Sequence, residues 1–167
     1  MYKDGVSVPQ DFTKALYWCQ KAADQDDAIG QYNLGNIYSF GRGVRQDDAK
    51  AFAWFQKAAD QGDFNSQYSL GTLYYEGSGI RQDFVKAAEW YQKAAEQGDV
   101  RAQHNFAIMC AVGEGVRQDF VKAVEWYQKA ADQGNANSQL DLGYMFLKGE
   151  GVRQNKVVAK EWFGKSC

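Results

Sequence analysis

The sequence has little proline and no long apolar stretch. Among its 167 residues there is one proline, Pro9, and no apolar run reaches the roughly 18 residues that a membrane-spanning helix needs. The first residues, from Met1 to Gly5, lack the apolar core of a signal peptide. A chain with so few proline residues can form uninterrupted helices. The sequence therefore predicts an ordered helical protein that does not insert into a membrane.

Histidine and cysteine are also scarce. The chain has one histidine, His104, and three cysteines. One histidine cannot supply a two-histidine metal site, and an odd number of cysteines at unrelated repeat positions does not form a disulfide framework. The Ser-x-x-Lys motif of serine enzymes that react with β-lactams is absent as well. We therefore expect no metal site, no cofactor and no catalytic residue, and we interpret His104 as a packing residue.

Neither sign of charge dominates the chain. The formal net charge is -2 and the two signs are interspersed, so the sequence offers no basic surface to a nucleic acid. One arginine recurs per repeat in a loop, and we interpret this series as a solvated ridge: Arg45, Arg81, Arg117 and Arg153. We expect no nucleic acid among the partners.

One segment of the sequence recurs every 36 residues. The residues from Arg81 to Asp99 return nearly unchanged from Arg45 to Asp63 and from Arg117 to Asn135. Each copy of such a repeat buries its apolar face only against the next copy, so the pattern predicts a solenoid and a single domain over residues 1–167. We divide it into a partial repeat at 1–26, repeats at 27–62, 63–98 and 99–134, and a terminal repeat at 135–167.

Each repeat contains two helices, which we name helix A and helix B in chain order. Helix B has an apolar stripe at helical spacing, is preceded by the N-cap residue Asp83 and is followed by Gly98 as a left-handed residue. The next helix A starts at once behind the cap Asp99, which predicts an antiparallel hairpin. Gly71 lies inside helix A at a cost of about 1 kcal/mol relative to alanine, and we predict that it permits two backbones to approach closely.

Paired glycines, such as Gly77 and Gly79, follow each helix A except the first, where Ser7 replaces the second glycine. They lack a preceding strand and the Gly-Lys-Ser/Thr ending of a phosphate-binding loop, so we interpret them as turn residues with positive φ. The aliphatic residue that follows them, Ile80 in this copy, is predicted to cover the core.

Together these residues resemble a known family. The period, the Leu-Gly pair of helix A, the Tyr-x-x-Gly-x-Gly-Val-x-Gln-Asp joint and the Lys-Ala-x-x-Trp-Tyr-x-Lys-Ala-Ala-x-Gln-Gly segment of helix B are similar to the Sel-one-like repeat, a relative of the tetratricopeptide repeat. The resemblance covers essentially the whole chain. It implies an all-α, right-handed α/α superhelix from a bacterium that serves as an adaptor for a protein or peptide partner.

Helix A varies between copies, whereas helix B hardly does. Three columns of helix A lie three and four residues apart, on one face that is expected to be concave, and this face is the predicted partner-binding site. Ile108 and Tyr144 are apolar or aromatic there, as an interface requires. The alternative is free drift of exposed positions. The predicted site consists of Asn33, Asn36, Phe40, Ser69, Thr72, Glu76, Asn105, Ile108, Val112, Asp141, Tyr144 and Lys148.

Three other functions stand beside the scaffold hypothesis. By analogy with cysteine-rich bacterial relatives, the groove could bind or hydrolyse a small molecule such as a β-lactam. By the same resemblance, the partner could be a toxic effector that the chain neutralises as an immunity protein. The chain also begins inside one helix A and stops inside helix B, so we expect a piece of a longer protein whose uncapped ends self-associate.

Overall fold

The computed structural model describes residues 12–166, and this part of the chain folds entirely into helices joined by short loops. No strand occurs between residues 12 and 166, so the predicted all-α class is confirmed. The helices are α1 (Phe12–Ala23), α2 (Ala28–Phe40), α3 (Asp48–Asp60), α4 (Phe64–Glu76), α5 (Phe84–Glu96), α6 (Val100–Val112), α7 (Phe120–Asp132), α8 (Ala136–Lys148) and α9 (Lys156–Lys165). Each helix packs chiefly against its neighbours in the sequence, as in a solenoid.

Capping side chains set the helix boundaries. Asp83 accepts a hydrogen bond from the amide of Lys86 at the start of α5, and Asp99 accepts one from Ala102 at the start of α6. Gly98 lies between them with φ +96°, a conformation that glycine adopts without a steric penalty. The predicted helix ends and the hairpin link between them are confirmed. α2, α4, α6 and α8 are the A helices, and α1, α3, α5, α7 and α9 are the B helices.

The glycine inside helix A makes room for an aromatic ring. A Cβ atom at Gly71 would lie 2.6 Å from the Cδ1 atom of Tyr91 on α5, and Gly35 and Gly143 face the rings of Phe55 and Phe163 in the same way. The expected close approach of two backbones is therefore wrong at this position. A side chain at this position of helix A would overlap the ring from helix B, and glycine leaves that space to the ring.

The second glycine of each loop packs against the preceding B helix. Gly115 has φ +71°, and the carbonyl oxygen of Phe84 on α5 occupies the space that a Cβ atom would take. The aliphatic residue that follows, Val116, packs against the core as predicted. This contact joins the loop that precedes α7 to α5, the B helix 36 residues earlier in the sequence.

Buried glutamines connect the two helices of a repeat, and their partners reach back to the preceding repeat. The Oε1 atom of Gln67 on α4 accepts a hydrogen bond of 2.8 Å from Gln97, and Gln97 also donates to the carbonyl of Gly62 at 3.1 Å. Gln103 and Gln133 repeat the first of these bonds one step along. Because buried polar groups require partners, this ladder holds each A helix in a fixed position relative to the end of the next B helix.

The first repeat departs from the others. Asp26 stands where later copies have glycine, and it is the only non-glycine residue with positive φ, at +62°, between residues 12 and 166. Its carboxylate accepts a hydrogen bond from Gln31, which compensates for the strain. Trp18 of α1 is 62% exposed, whereas Trp126 of α7 is 7% exposed. The predicted partial helix at Tyr2 and the first loop lie outside the described residues.

Candidate partner-binding surface

The A helices lie side by side, and contacts between side chains connect them. Arg101 on α6 reaches Asn65 on α4, with 3.0 Å between Nη2 and Oδ1. His104 on α6 reaches Ser138 on α8, with 2.9 Å between Nδ1 and Oγ. Neighbouring A helices are therefore joined by side-chain contacts, and residues from several repeats contribute to one surface.

A first groove runs between α2 and α4. It encloses about 380 Å³ and has mixed polar and aromatic walls. Phe40 is 64% exposed at its edge, and the guanidinium of Arg42 lies 5.0 Å from the centre of its ring. Five residues of the predicted site line it: Asn36, Phe40, Ser69, Thr72 and Glu76.

A second groove of about 300 Å³ lies between α4 and α6, and we name it the tyrosine pocket. The two grooves share a ridge on α4 formed by Tyr68, Thr72 and Glu76, which follow one another at intervals of four residues. The walls of the tyrosine pocket are Tyr68, Thr72, Tyr75, Glu76, Tyr91, Asn105, Ile108 and Met109. Thr72, Glu76, Asn105 and Ile108 belong to the predicted site.

The hydroxyl group of Tyr91 holds the base of the tyrosine pocket together. It lies 3.2 Å from Oγ1 of Thr72 and also forms a hydrogen bond with Asn105. Burial raises the pKa of Tyr91 to about 12, so this hydroxyl group is neutral at physiological pH. It serves as a hydrogen-bonding group on the pocket floor, not as a general base.

The space between α6 and α8 contains a histidine, a serine and a carboxylate. His104 Nδ1 lies 2.9 Å from Ser138 Oγ and 3.8 Å from Asp141 Oδ2. In a catalytic triad the serine and the carboxylate approach opposite ring nitrogens, whereas here both approach Nδ1. Ser138 is also fully buried. This arrangement does not activate a nucleophile, and it supports the interpretation of His104 as a packing residue.

Burial governs the titration of this cluster. It lowers the pKa of His104, although Asp141 acts in the opposite direction. It raises the pKa of Asp141, while His104 and a hydrogen bond from Tyr127 act against the rise. The Tyr127 hydroxyl donates to the same carboxylate and its pKa is raised, first by burial. The side chains of this cluster therefore satisfy one another.

The remaining predicted residues line neither groove. Tyr144 is 48% exposed and packs edge-on against Phe163, with 5.2 Å between the ring centres. Lys148 lies 3.8 Å from the Glu150 carboxylate. Asn33 and Val112 are exposed, and Asp141 belongs to the histidine cluster.

Sequence reasoning missed several residues that line the grooves. Tyr75 and Arg101 lie in columns that also vary between repeats, with Ser39, Ala111 and Leu147 equivalent to Tyr75. Column variability could have found both. Tyr91 belongs to the apolar stripe of helix B, and variability could not have found it, because its ring is buried and only its hydroxyl group reaches the pocket.

The arginine series lies elsewhere, in shallow depressions beside the loops. Arg81 lines one such depression with Lys86 and the cap Asp83, and Arg45 lines an equivalent one. All four arginines of the series are exposed. In the described part of the chain, no group of three or more His, Cys, Asp or Glu residues could hold a metal ion. None of the helices described is long and apolar enough to span a bilayer.

Comparisons with known proteins agree with this architecture. A family model described as Sel1 repeat matches residues 1–27, 28–63, 65–99, 100–135 and 136–167. The solved structure of c5321, a protective antigen in uropathogenic Escherichia coli that displays an SLR fold, is 41% identical with a TM-score of 0.92. It covers 94% of this chain, but the chain spans only 34% of that protein. No curated protein sequence matches the chain.

Two further structures are similar. A Sel1 repeat protein from Oxalobacter formigenes is 35% identical with a TM-score of 0.87, over 95% of this chain and 65% of that one. Cysteine rich protein B from Helicobacter pylori is 25% identical with a TM-score of 0.62, over 81% of this chain and 97% of that one. Bacterial proteins of the same repeat type thus share the fold.

Proposed function

The chain belongs to the Sel1 repeat family, whose members are generally scaffolds for protein interactions, and we propose that it binds a protein or peptide segment along α2, α4 and α6. The observation that carries the proposal is the pair of adjoining grooves, which are lined by columns that differ between repeats. A framework that repeats with a surface that varies is what a binding solenoid requires.

The chemistry of the grooves suits a peptide. Phe40 and Tyr75 are partly exposed aromatic residues, and such residues provide much of the binding energy at protein interfaces. Ser69, Thr72 and Asn105 add donors and acceptors that can bond to the main chain of a partner. An extended segment that crosses the α4 ridge would contact both grooves at once.

No observation favours an enzyme. The Tyr91 hydroxyl is neutral, and the histidine cluster has the wrong geometry for nucleophilic catalysis. A β-lactam acylase would also need a serine beside a base in an open pocket, and Ser138 is fully buried. Neutralisation of an effector would be one form of the proposed binding. Self-association through the ends of the solenoid stays a prediction.

Selection from a random-peptide display library on the folded protein tests this proposal. We expect selected peptides to bind at least about tenfold more weakly when Phe40→Asp places a charge in the first groove or Ile108→Trp fills the second, because an unpaired buried charge or a blocked groove opposes association. The matched control is Val85→Asp, which places the same charge at an exposed position on α5. Circular dichroism confirms that each variant is folded.

Two results would contradict the proposal. One is a set of binders whose affinity is the same for wild type, Phe40→Asp and Ile108→Trp. The other is loss of binding only in the Val85→Asp control, which would place the interface on the B helices.

A further inference from the structure

The tyrosine pocket has an acidic rim that the protein does not neutralise. No lysine, arginine or histidine is among its wall residues, and Glu76 stands exposed at the end of α4. In the described residues the Glu76 carboxylate has no cationic partner, and it accepts one hydrogen bond, from the Ser78 hydroxyl at 3.2 Å. The groove therefore presents a free negative charge to a ligand.

A second carboxylate lies near this rim. The hydroxyl group of Tyr75, the neighbour of Glu76 in the pocket wall, is hydrogen bonded to Glu114. No ion pair of the described residues involves Glu114. An incoming cation would therefore find Glu76 at the rim and Glu114 beside Tyr75.

The aromatic rings of the pocket are suited to a cation as well. The guanidinium of Arg101 already lies 4.2 Å from the centre of the Tyr68 ring, on the side of the first groove. Asp99 and Asn65 hold that guanidinium in place, at 3.2 Å and 3.0 Å. Tyr68 and Tyr75 are wall residues of the tyrosine pocket as well, so aromatic side chains are available to a cation there.

The geometry points to a pocket for a basic side chain, arginine or lysine, of the bound segment, with its charge at Glu76 and its alkyl stem on Ile108 and Met109. This inference rests on the proposed function and adds the chemistry of one partner residue. It depends on charge complementarity: the tyrosine pocket has the carboxylate of Glu76 and no cation among its wall residues, and Arg101 of the adjoining groove is already paired with Asp99, so the pocket selects a positive group.

Equivalent positions in the other repeats do not recreate this site. Phe40, Val112 and Lys148 stand where α4 has Glu76, and Ser39, Ala111 and Leu147 stand where it has Tyr75. Within helices α2 to α8 the carboxylate and the tyrosine therefore coincide once. We expect the tyrosine pocket to bind one basic residue of the partner, and we expect no equivalent pocket for further basic residues along these helices.

A nuclear magnetic resonance titration tests the pocket directly. The probes are N-acetyl-arginine amide, N-acetyl-lysine amide and the neutral isostere N-acetyl-citrulline amide, observed at the methyl groups of Ile108 and Met109. We expect saturable shifts with the two basic probes and about tenfold weaker binding of citrulline, because only the charge differs from arginine. Added salt should weaken the basic probes alone.

Variants identify the responsible charge. Glu76→Gln should reduce arginine binding about tenfold, whereas Glu89→Gln, which removes an exposed carboxylate from α5, should leave it unchanged. Equal binding of arginine and citrulline, or arginine binding that survives Glu76→Gln, would overturn the inference. Because Glu76 is exposed and forms no ion pair within residues 12–166, the variant should fold normally.

Display selection separates this inference from the proposed function. Peptides selected on wild type should be enriched in arginine or lysine at one position, and selection on Glu76→Gln should lose that preference. If peptides depend on Phe40 and Ile108 but show no basic preference, the inference fails and the proposed function stands. If the basic probes bind and no peptide depends on either groove, the pocket stands and the scaffold function fails.

Discussion

The space between α4 and α6 and the space between α6 and α8 have the same framework and different contents. In the first, the hydroxyl group of Tyr91 bonds to Thr72 and Asn105, and Glu76 at the rim has no cation among the described residues. In the second, Tyr127 replaces Tyr91, and its hydroxyl group bonds to Asp141, which faces His104. The two spaces thus differ in whether their carboxylate is held by neighbouring helices: Asp141 is, and Glu76 is not.

This difference shows how a repeat protein acquires a binding site. In both spaces the B helix supplies a buried tyrosine whose hydroxyl group lies at the floor, whereas the equivalent residues of α3 and α9 are Phe55 and Phe163. What lies above it depends on a few variable positions of the A helices. Where these positions contact one another, as His104 and Asp141 do, the carboxylate is satisfied within the protein. Where one of them has no partner, as with Glu76, it remains available to a ligand.

The largest expected effect comes from making α4 bulkier opposite the ring of α5. In α6 the equivalent of Gly71 is Ala107, so one methyl group is accepted beside Tyr127, whereas a Cβ atom at Gly71 would lie 2.6 Å from the Tyr91 ring. We expect Gly71→Val to lower the free energy of unfolding by about 3 kcal/mol, because the added methyl groups overpack the core. Urea denaturation measures this change.

Gly164→Val is the matched control for that substitution. A Cβ atom at Gly164 in α9 would meet no neighbouring group within 4 Å. The same change should therefore alter stability by less than about 0.5 kcal/mol. Equal losses in the two variants would mean that the ring of Tyr91 does not set the limit at Gly71.

A pair of buried serines gives an intermediate effect. Ser138 bonds to His104, whereas the hydroxyl group of Ser66, the equivalent residue of α4, is buried without a hydrogen-bond partner. We expect Ser138→Ala to lose about 1 kcal/mol of stability and Ser66→Ala to be neutral or to gain up to about 1 kcal/mol, because only the first removes a bond. Ala102 occupies the same column in α6 without disruption. A comparable loss in both variants would contradict the difference between the two spaces.

The smallest effect is the contribution of the α6–α8 space to the dependence of stability on pH. Burial holds the pKa of His104 below its ordinary value of 6.5, so the unfolded chain binds this proton more readily than the folded one. The free energy of unfolding should therefore fall as the pH drops below about 6.5, and the histidine should contribute no slope near pH 8. Asp141 contributes with the opposite sign. Its pKa is raised in the folded chain, so its contribution to the free energy of unfolding falls as the pH rises above 3.8.

His104→Gln isolates the histidine contribution. We expect the difference in stability between wild type and the variant to change between about pH 8 and pH 5.5, in the direction that disfavours wild type at the lower pH. Denaturation at a series of pH values measures it. A difference that stays constant would show that His104 is not held neutral by the fold.

Much of the fold could be predicted because it depends on local signals. The helix ends are set within a few residues by the caps Asp83 and Asp99 and by the left-handed Gly98. The 36-residue period then predicts the same ends in the other repeats. The reason for Gly71 could not be predicted, since it depends on where the ring of Tyr91 points in three dimensions. Column variability indicated Thr72, Glu76, Asn105 and Ile108, which now share one pocket, but it also indicated Asn33 and Val112, which line neither groove.

The sequence by itself determined the architecture of this protein, because a 36-residue pattern with capped helices has one way to bury its apolar stripes, against its own copies. The tertiary structure decided which variable residues act together. Glu76 and Asp141 are both carboxylates on the predicted face, but the packing of the helices places His104 and Tyr127 against Asp141, whereas within residues 12–166 Glu76 bonds only to the Ser78 hydroxyl. Such pairing is a matter of a few ångströms between helices 36 residues apart, a distance that periodicity does not specify.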